Sequence, residues 1–95
     1  MVLLDVLGRR WALRVMWELR RGPLSFRSLR EACDDISPSV LNARLGELRE
    51  LRLVGLEEDG YAVTPEGRAL GELMRPLDAW AEKWAERLEK AGDEG

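Results

Sequence analysis

The sequence predicts a mainly α-helical domain with one small β-hairpin, on three observations. Apolar residues recur at three- and four-residue spacing along most of the chain, the period of amphipathic helices. Ser37-Pro38 and Thr64-Pro65 each set a hydroxyl before a proline, a helix start signal. Asp59-Gly60, between apolar flanks, is a favoured two-residue hairpin turn. At 95 residues, 45% hydrophobic and 35% charged, the chain suits one domain with a modest core.

Val2, Leu3, Val6 and Leu7 form a short amphipathic arm that stops at Gly8, a residue free to take a helix-ending positive φ. Residues 10–20 carry Trp11, Leu13, Val15, Met16, Trp17 and Leu19, a helix buried on most of its girth, closed by Gly22-Pro23. Leu24 reads as a single extended residue or a short strand. Ser25 then caps a two-turn helix over 26–33, with Phe26, Leu29 and Ala32 or Cys33 turned inward. Asp34-Asp35-Ile36 makes a tight acidic turn, and a longer helix starts at Ser37-Pro38.

At 100° per residue this helix, spanning about 37–51, sets Leu41, Leu45, Leu48 and Arg52 on one side. Ser39, Asn42, Ala43, Gly46 and Glu50 fall on the other. Gly55 closes the helix, and residues 56–63 make the hairpin. A long helix over about 65–90 follows, with a kink or break where Pro76 interrupts it. Residues 91–95 are expected to fray, leaving one domain over 1–90.

A short helix, a tight turn, a second helix with a small polar outer face and a hairpin are, in that order, a winged helix-turn-helix. The leucines anchor the second helix so that its opposite face can enter a major groove about 12 Å wide. Its groove-facing set is Ser37, Ser39, Asn42, Ala43, Arg44 and Arg49, with Asn42 suited to an adenine edge or a phosphate and both arginines to guanine or backbone oxygens. Arg27 and Arg30 on the preceding helix, and Arg9 and Arg10 before the Trp11 helix, suit phosphates and set register. Charge follows the same division. Residues 1–52 hold ten arginines against seven acids, whereas residues 53–95 hold five basic residues against eleven acids.

Catalysis lacks material: the chain has no histidine, no serine or cysteine nucleophile with a base, and no Gly-rich loop after a strand, so no enzyme is expected. The run Glu57, Glu58, Asp59 reads as a solvated turn. Cys33 stands alone, which excludes an intramolecular disulfide and a thiolate metal cluster; no metal and no cofactor are expected. No stretch is apolar for the roughly 18 residues a membrane span needs, and the N-terminus is too short and acidic for a signal peptide, so a cytoplasmic protein with no membrane partner is expected.

Gly8-Arg9-Arg10-Trp11, Trp17-Glu18-Leu19, Gly22-Pro23-Leu24-Ser25-Phe26-Arg27-Ser28-Leu29 and the run from Ile36-Ser37-Pro38 to Leu45-Gly46-Glu47-Leu48 resemble the HxlR family of winged-helix regulators, related to the MarR-like regulators. Thr64-Pro65-Glu66-Gly67-Arg68 and Trp80 extend the resemblance over roughly residues 4–84. It implies a sequence-specific transcriptional regulator acting on double-stranded DNA as a homodimer, at an inverted-repeat operator. It also implies an interface of Leu3, Leu4 and Leu7 with Leu73, Leu77, Trp80, Trp84 and Leu88, and a cavity for a small-molecule effector between the last helix and residues 11–19.

Three departures stand out. The hairpin is short and acidic, so like charge sets it against phosphates. The N-terminal cysteine through which several members sense oxidants is missing, and Cys33 lies in the helix-turn-helix itself, so redox sensing does not carry over. Pro76 comes about four residues later than the family's proline. The rival reading, drawn from the acidic hairpin and the net charge of -3, is a winged-helix protein-interaction module without DNA binding.

Overall fold

The computed structural model describes residues 2–94, and the side chains of residues 3–92. Its elements are α1 (Val2–Leu7), α2 (Ala12–Glu18), α3 (Phe26–Ala32), α4 (Pro38–Glu50), β1 (Val54–Glu57), β2 (Gly60–Val63) and α5 (Pro65–Glu94). This is the expected mainly helical winged helix-turn-helix. Among the described residues no helix is long and apolar enough to cross a membrane.

The core is a cluster of small and medium apolar side chains from every part of the first 54 residues. Val15 of α2 and Leu19 just after it, Leu29 of α3, Leu41, Leu45 and Leu48 of α4, and Cys33 and Val54 are all but fully buried. Each buried leucine contributes about 1.5–3 kcal/mol relative to exposure. Leu3, Val6, Leu7 and Trp11 pack half-buried on the outside of the same cluster, which seats α1 against α2. Leu3 and Leu7, expected at a dimer interface, thus also serve their own core, whereas Leu4 stays 64% exposed.

Both serine caps form as expected. Ser25 accepts the Ser28 backbone N–H at 3.0 Å, and Ser37 accepts that of Val40 at 3.2 Å, satisfying donors left free in the first turn. Between these helices Asp34 and Asp35 both adopt left-handed φ, at 58° and 56°, a conformation Asp tolerates better than most residues.

Helix ends differ from expectation at three places. Gly8 has no positive φ; Trp11 takes the left-handed conformation instead, at 78°, so α2 starts only at Ala12. Helix α2 is also less enclosed than its apolar count predicts: Leu13 is 40% and Trp17 52% exposed, because their side faces an open groove beside α5. Arg52 lies off the leucine face. It is exposed with φ 60° and turns the chain after α4, the role expected of Gly55, which lies in β1.

The hairpin pairs Val54 with Val63 through Glu57 with Gly60, which places Glu58 and Asp59, not Asp59-Gly60, at the turn. Gly60 has φ 125°, and a Cβ there would run into the Leu24 carbonyl. That approach serves the fold: Leu24 and Tyr61 exchange both backbone bonds, at 3.0 and 2.8 Å, adding Leu24 to the sheet as a single bridging residue rather than a short strand.

Thr64 joins three elements. Its hydroxyl donates to the Arg52 carbonyl at 2.6 Å and accepts the Gly67 N–H at 3.0 Å, while its N–H donates to the Leu53 carbonyl at 3.0 Å. Gly67 itself lies against the Leu53 backbone, where any side chain would collide. From there α5 runs as one 30-residue helix through Pro76 without a break, and continues through Ala91 to Glu94, where fraying is expected from the sequence; Gly95 lies outside the described residues. Gly67→Ala is expected to lower stability by about 2 kcal/mol or more, and Thr64→Ala by about 1 kcal/mol, measured by urea unfolding at fixed protein concentration. Equal stability of Gly67→Ala and the parent would show that the α5–Leu53 packing does not matter.

Candidate nucleic-acid interface

Helix α4 turns its three leucines into the core, which leaves Ser39, Asn42, Ala43, Arg49 and Glu50 exposed on the other side. The first turn of α4 holds no acid, so the positive end of the helix dipole is unopposed there. Ser37 and Ser39 lie at the same end, with hydroxyls 3.4 Å apart. Gly46 sits in the middle of this face, where glycine costs about 1 kcal/mol relative to alanine. A Cβ there would meet nothing within 4 Å in its own molecule, so interior packing does not require the glycine.

Four arginines assigned to nucleic acid divide by how they are held. Arg27 is 90% exposed and loosely paired with Glu31 at 3.5 Å. Arg10 is exposed, its guanidinium 5.5 Å from the Trp11 ring centroid. Arg49 is exposed on the outer side of α4. Arg30, by contrast, is half-buried and gives its Nε to the Ile36 carbonyl at 2.8 Å, bracing the turn between α3 and α4.

Arg44 differs: it stands on the flank of the outer face, but its side chain turns back toward the core. Its side chain is 15% exposed and bonds Glu47 at 2.9 Å, since three residues after a leucine-side position the helix returns to the core edge. Arg9 completes the group at 3.6 Å from the other Glu47 oxygen.

The sequence reading also missed Arg14. From α2 it donates to Glu18 at 3.0 Å and to the Ala32 carbonyl at 2.8 Å, and pairs with Asp34 at 3.5 Å, tying α2 to the end of α3 and to the turn. The i,i+4 spacing of Arg14 and Glu18 was the available signal; the link to α3 had none. Cys33 lies fully buried under this brace, and desolvation pushes its thiol pKa above the ordinary value.

One stripe of apolar residues on α5 has no cover. Leu73, Leu77, Trp80, Trp84 and Leu88 are 45–77% exposed, and the two indoles stack at 5.7 Å. On another side of α5, a groove of about 1050 Å³ opens toward α2, with Leu13, Trp17 and Met74 in its wall and Arg20, Arg21 and Arg68 at its edges. The hairpin turn Glu57, Glu58, Asp59 is exposed and uniformly acidic.

A family model described as HxlR-like helix-turn-helix matches residues 6–89. The HTH-type transcriptional regulator YodB of Bacillus subtilis (strain 168) is 32% identical over 89 residues, covering 86% of this chain and 80% of YodB. MJ0925 of Methanocaldococcus jannaschii, also described as an HTH-type transcriptional regulator, is 28% identical over 85 residues, covering 85% and 80% respectively. The crystal structure of quinone-bound YodB matches with a TM-score of 0.79 at 31% identity, covering 85% of this chain and 92% of that one.

Two measurements check the local readings. Gly46→Ala is expected to raise stability by roughly 0.5–1 kcal/mol, since it removes backbone entropy and meets no obstacle. A loss of stability would mean that the face is packed. Cys33 is expected to resist a thiol reagent in the folded protein at neutral pH and to react once urea unfolds it; rapid reaction in the native state would contradict its burial.

Proposed function

This chain belongs to the HxlR-like helix-turn-helix family, and from that premise we propose that it is a DNA-binding transcription regulator whose two copies read an inverted-repeat operator. The observation that carries this reading is the outer face of α4. It is small, polar and acid-free until Glu50, it is held outward by three buried leucines, and it contains a glycine that no packing within the chain requires. Ser37, Ser39, Asn42 and Ala43 enter the major groove from the N-terminal end, where helix-turn-helix proteins touch bases. Arg49 takes a phosphate or a guanine edge, and Arg27 and Arg10 hold the backbone on either side. Glu50 lies toward the far end of the face, which keeps that end out of the groove.

The homodimer in this proposal rests on α5 and Leu4. A stripe of exposed leucines and tryptophans along one helix side is larger than a monomer ordinarily leaves in water, and a second copy covers it without any new chemistry. A two-fold pairing sets two α4 helices at successive major grooves, about 34 Å apart. The acidic hairpin stays clear of phosphates in this arrangement. A small-molecule effector belongs to the same proposal: the α2–α5 groove offers apolar walls with arginines at the edge, next to the helix that would pair the subunits.

The test is fluorescence anisotropy with a labelled duplex from upstream of the protein's own gene, against a scrambled duplex, over a salt series. The expected result is preferential binding with a log–log salt slope of several released counterions, and a slope about one shallower for Arg49→Ala. Equal, feeble binding to both duplexes would support the protein-interaction module instead. Sedimentation equilibrium is expected to give a dimer for the parent and a monomer for Leu77→Glu; a monomeric parent would remove the two-fold operator from the proposal.

A further inference from the structure

Arg44 and Glu47 are the charged residues of α4 that turn back toward the body of the molecule, and Arg9, 56% exposed, stands beside Glu47. Arg44 and Glu47 are mostly buried, with side chains 15% and 25% exposed. Their pairing is incomplete: the Arg44 Nε and one Glu47 oxygen, Oε2, are buried without a hydrogen bond, and that oxygen has only Arg9 nearby, at 3.6 Å. A buried pair of this kind stabilises a fold no better than apolar side chains of the same volume would, because both ions lose water. Packing alone therefore gives no reason for it.

Electrostatics does. The three residues stand on the flank of the outer face, at the junction of α1 and α2 with the recognition helix. Two guanidiniums released there would attract any duplex by its phosphates, whatever its sequence. Discrimination is a difference between affinities, so suppressing the indiscriminate part widens it. We infer that Glu47 is a specificity-determining residue that withholds Arg44 and Arg9 from the DNA backbone, and so lowers binding to non-operator sequence.

The inference rests on the DNA-binding reading above, and the same titrations separate the two failures. In Glu47→Gln, affinity for the scrambled duplex is expected to rise severalfold, the salt slope to steepen by roughly one to two, and the operator-to-scrambled ratio to fall. Removing one arginine in that background, as Glu47→Gln/Arg44→Gln or Glu47→Gln/Arg9→Gln, is expected to take part of the gain away, and the triple variant Glu47→Gln/Arg44→Gln/Arg9→Gln all of it. A second measurement avoids dependence on the folding of the Glu47 variants: Arg44→Gln alone is expected to leave the parent's slope unchanged, whereas Arg49→Ala makes it shallower. Parent binding with discrimination, but a Glu47→Gln protein of parental circular dichroism and unchanged slope, would overturn the inference and leave the function intact. A gain that persists after both arginines are removed, or a shallower slope for Arg44→Gln alone, would overturn it too. Absence of binding by the parent would sink the function itself.

Discussion

The burial of Leu41, Leu45 and Leu48 against α2 is the contact on which the rest of the molecule depends. Three leucines at four- and three-residue spacing fix the rotation of α4 about its own axis, so the identity of every outward residue follows from them. Rotation alone does not fix tilt. That comes from the ends, where the Asp34-Asp35 turn is braced by Arg30 to Ile36 and by Arg14 to Ala32, and where Arg52 leads into the Thr64 junction. The helix presented to DNA in the proposed function is thus held at its middle by apolar burial and at both ends by directional bonds.

Arginine does two kinds of work in the basic half, and only its partners tell them apart. Arg14 and Arg30 donate to backbone carbonyls that the turn leaves unpaired, a use for which the planar guanidinium fork is better suited than an ammonium. Arg44 is neutralised at the edge of the core. That takes three of the ten arginines out of the outward positive field; of those left exposed, Arg10, Arg27 and Arg49 are the ones placed to meet DNA in the proposed function. This also reconciles the negative net charge with a nucleic-acid partner, since the acids of α5 and the hairpin are segregated away from that face in sequence.

Features set by local chemistry were legible in the sequence. Serine and threonine before proline marked two helix starts, and leucine spacing marked the inner side of α4. Features set by contacts between distant segments were not. Gly60 looks like a turn residue but is required by the Leu24 carbonyl beside it. Gly55 looks like a helix stop, yet Arg52 makes the stop because Leu53 and Val54 must already be turned into the core. Arg44 looked like a groove residue on a helical projection. The projection placed it near the boundary between inner and outer sides, and only the presence of Glu47 and Arg9 decides which way so long a side chain turns.

Helix α5 presents a different energetic problem. It is 30 residues long, about 45 Å at 1.5 Å per residue, in a molecule whose longest dimension is 52 Å. Beyond Gly67, among the residues whose side chains are described, only Leu70, Met74 and Ala81 are even half-buried. A helix so weakly attached draws its stability from its own propensity, and Pro76 lowers that by removing one N–H and leaving the Glu72 carbonyl without its helical partner. Stacking of Trp80 on Trp84 offsets little of this while both rings face water. Covering the stripe with a second copy would supply the missing burial along the whole distal half. In the proposed dimer, folding of α5 and association of the subunits then become one equilibrium, and the spacing between the two recognition helices inherits the stiffness of that shared seam.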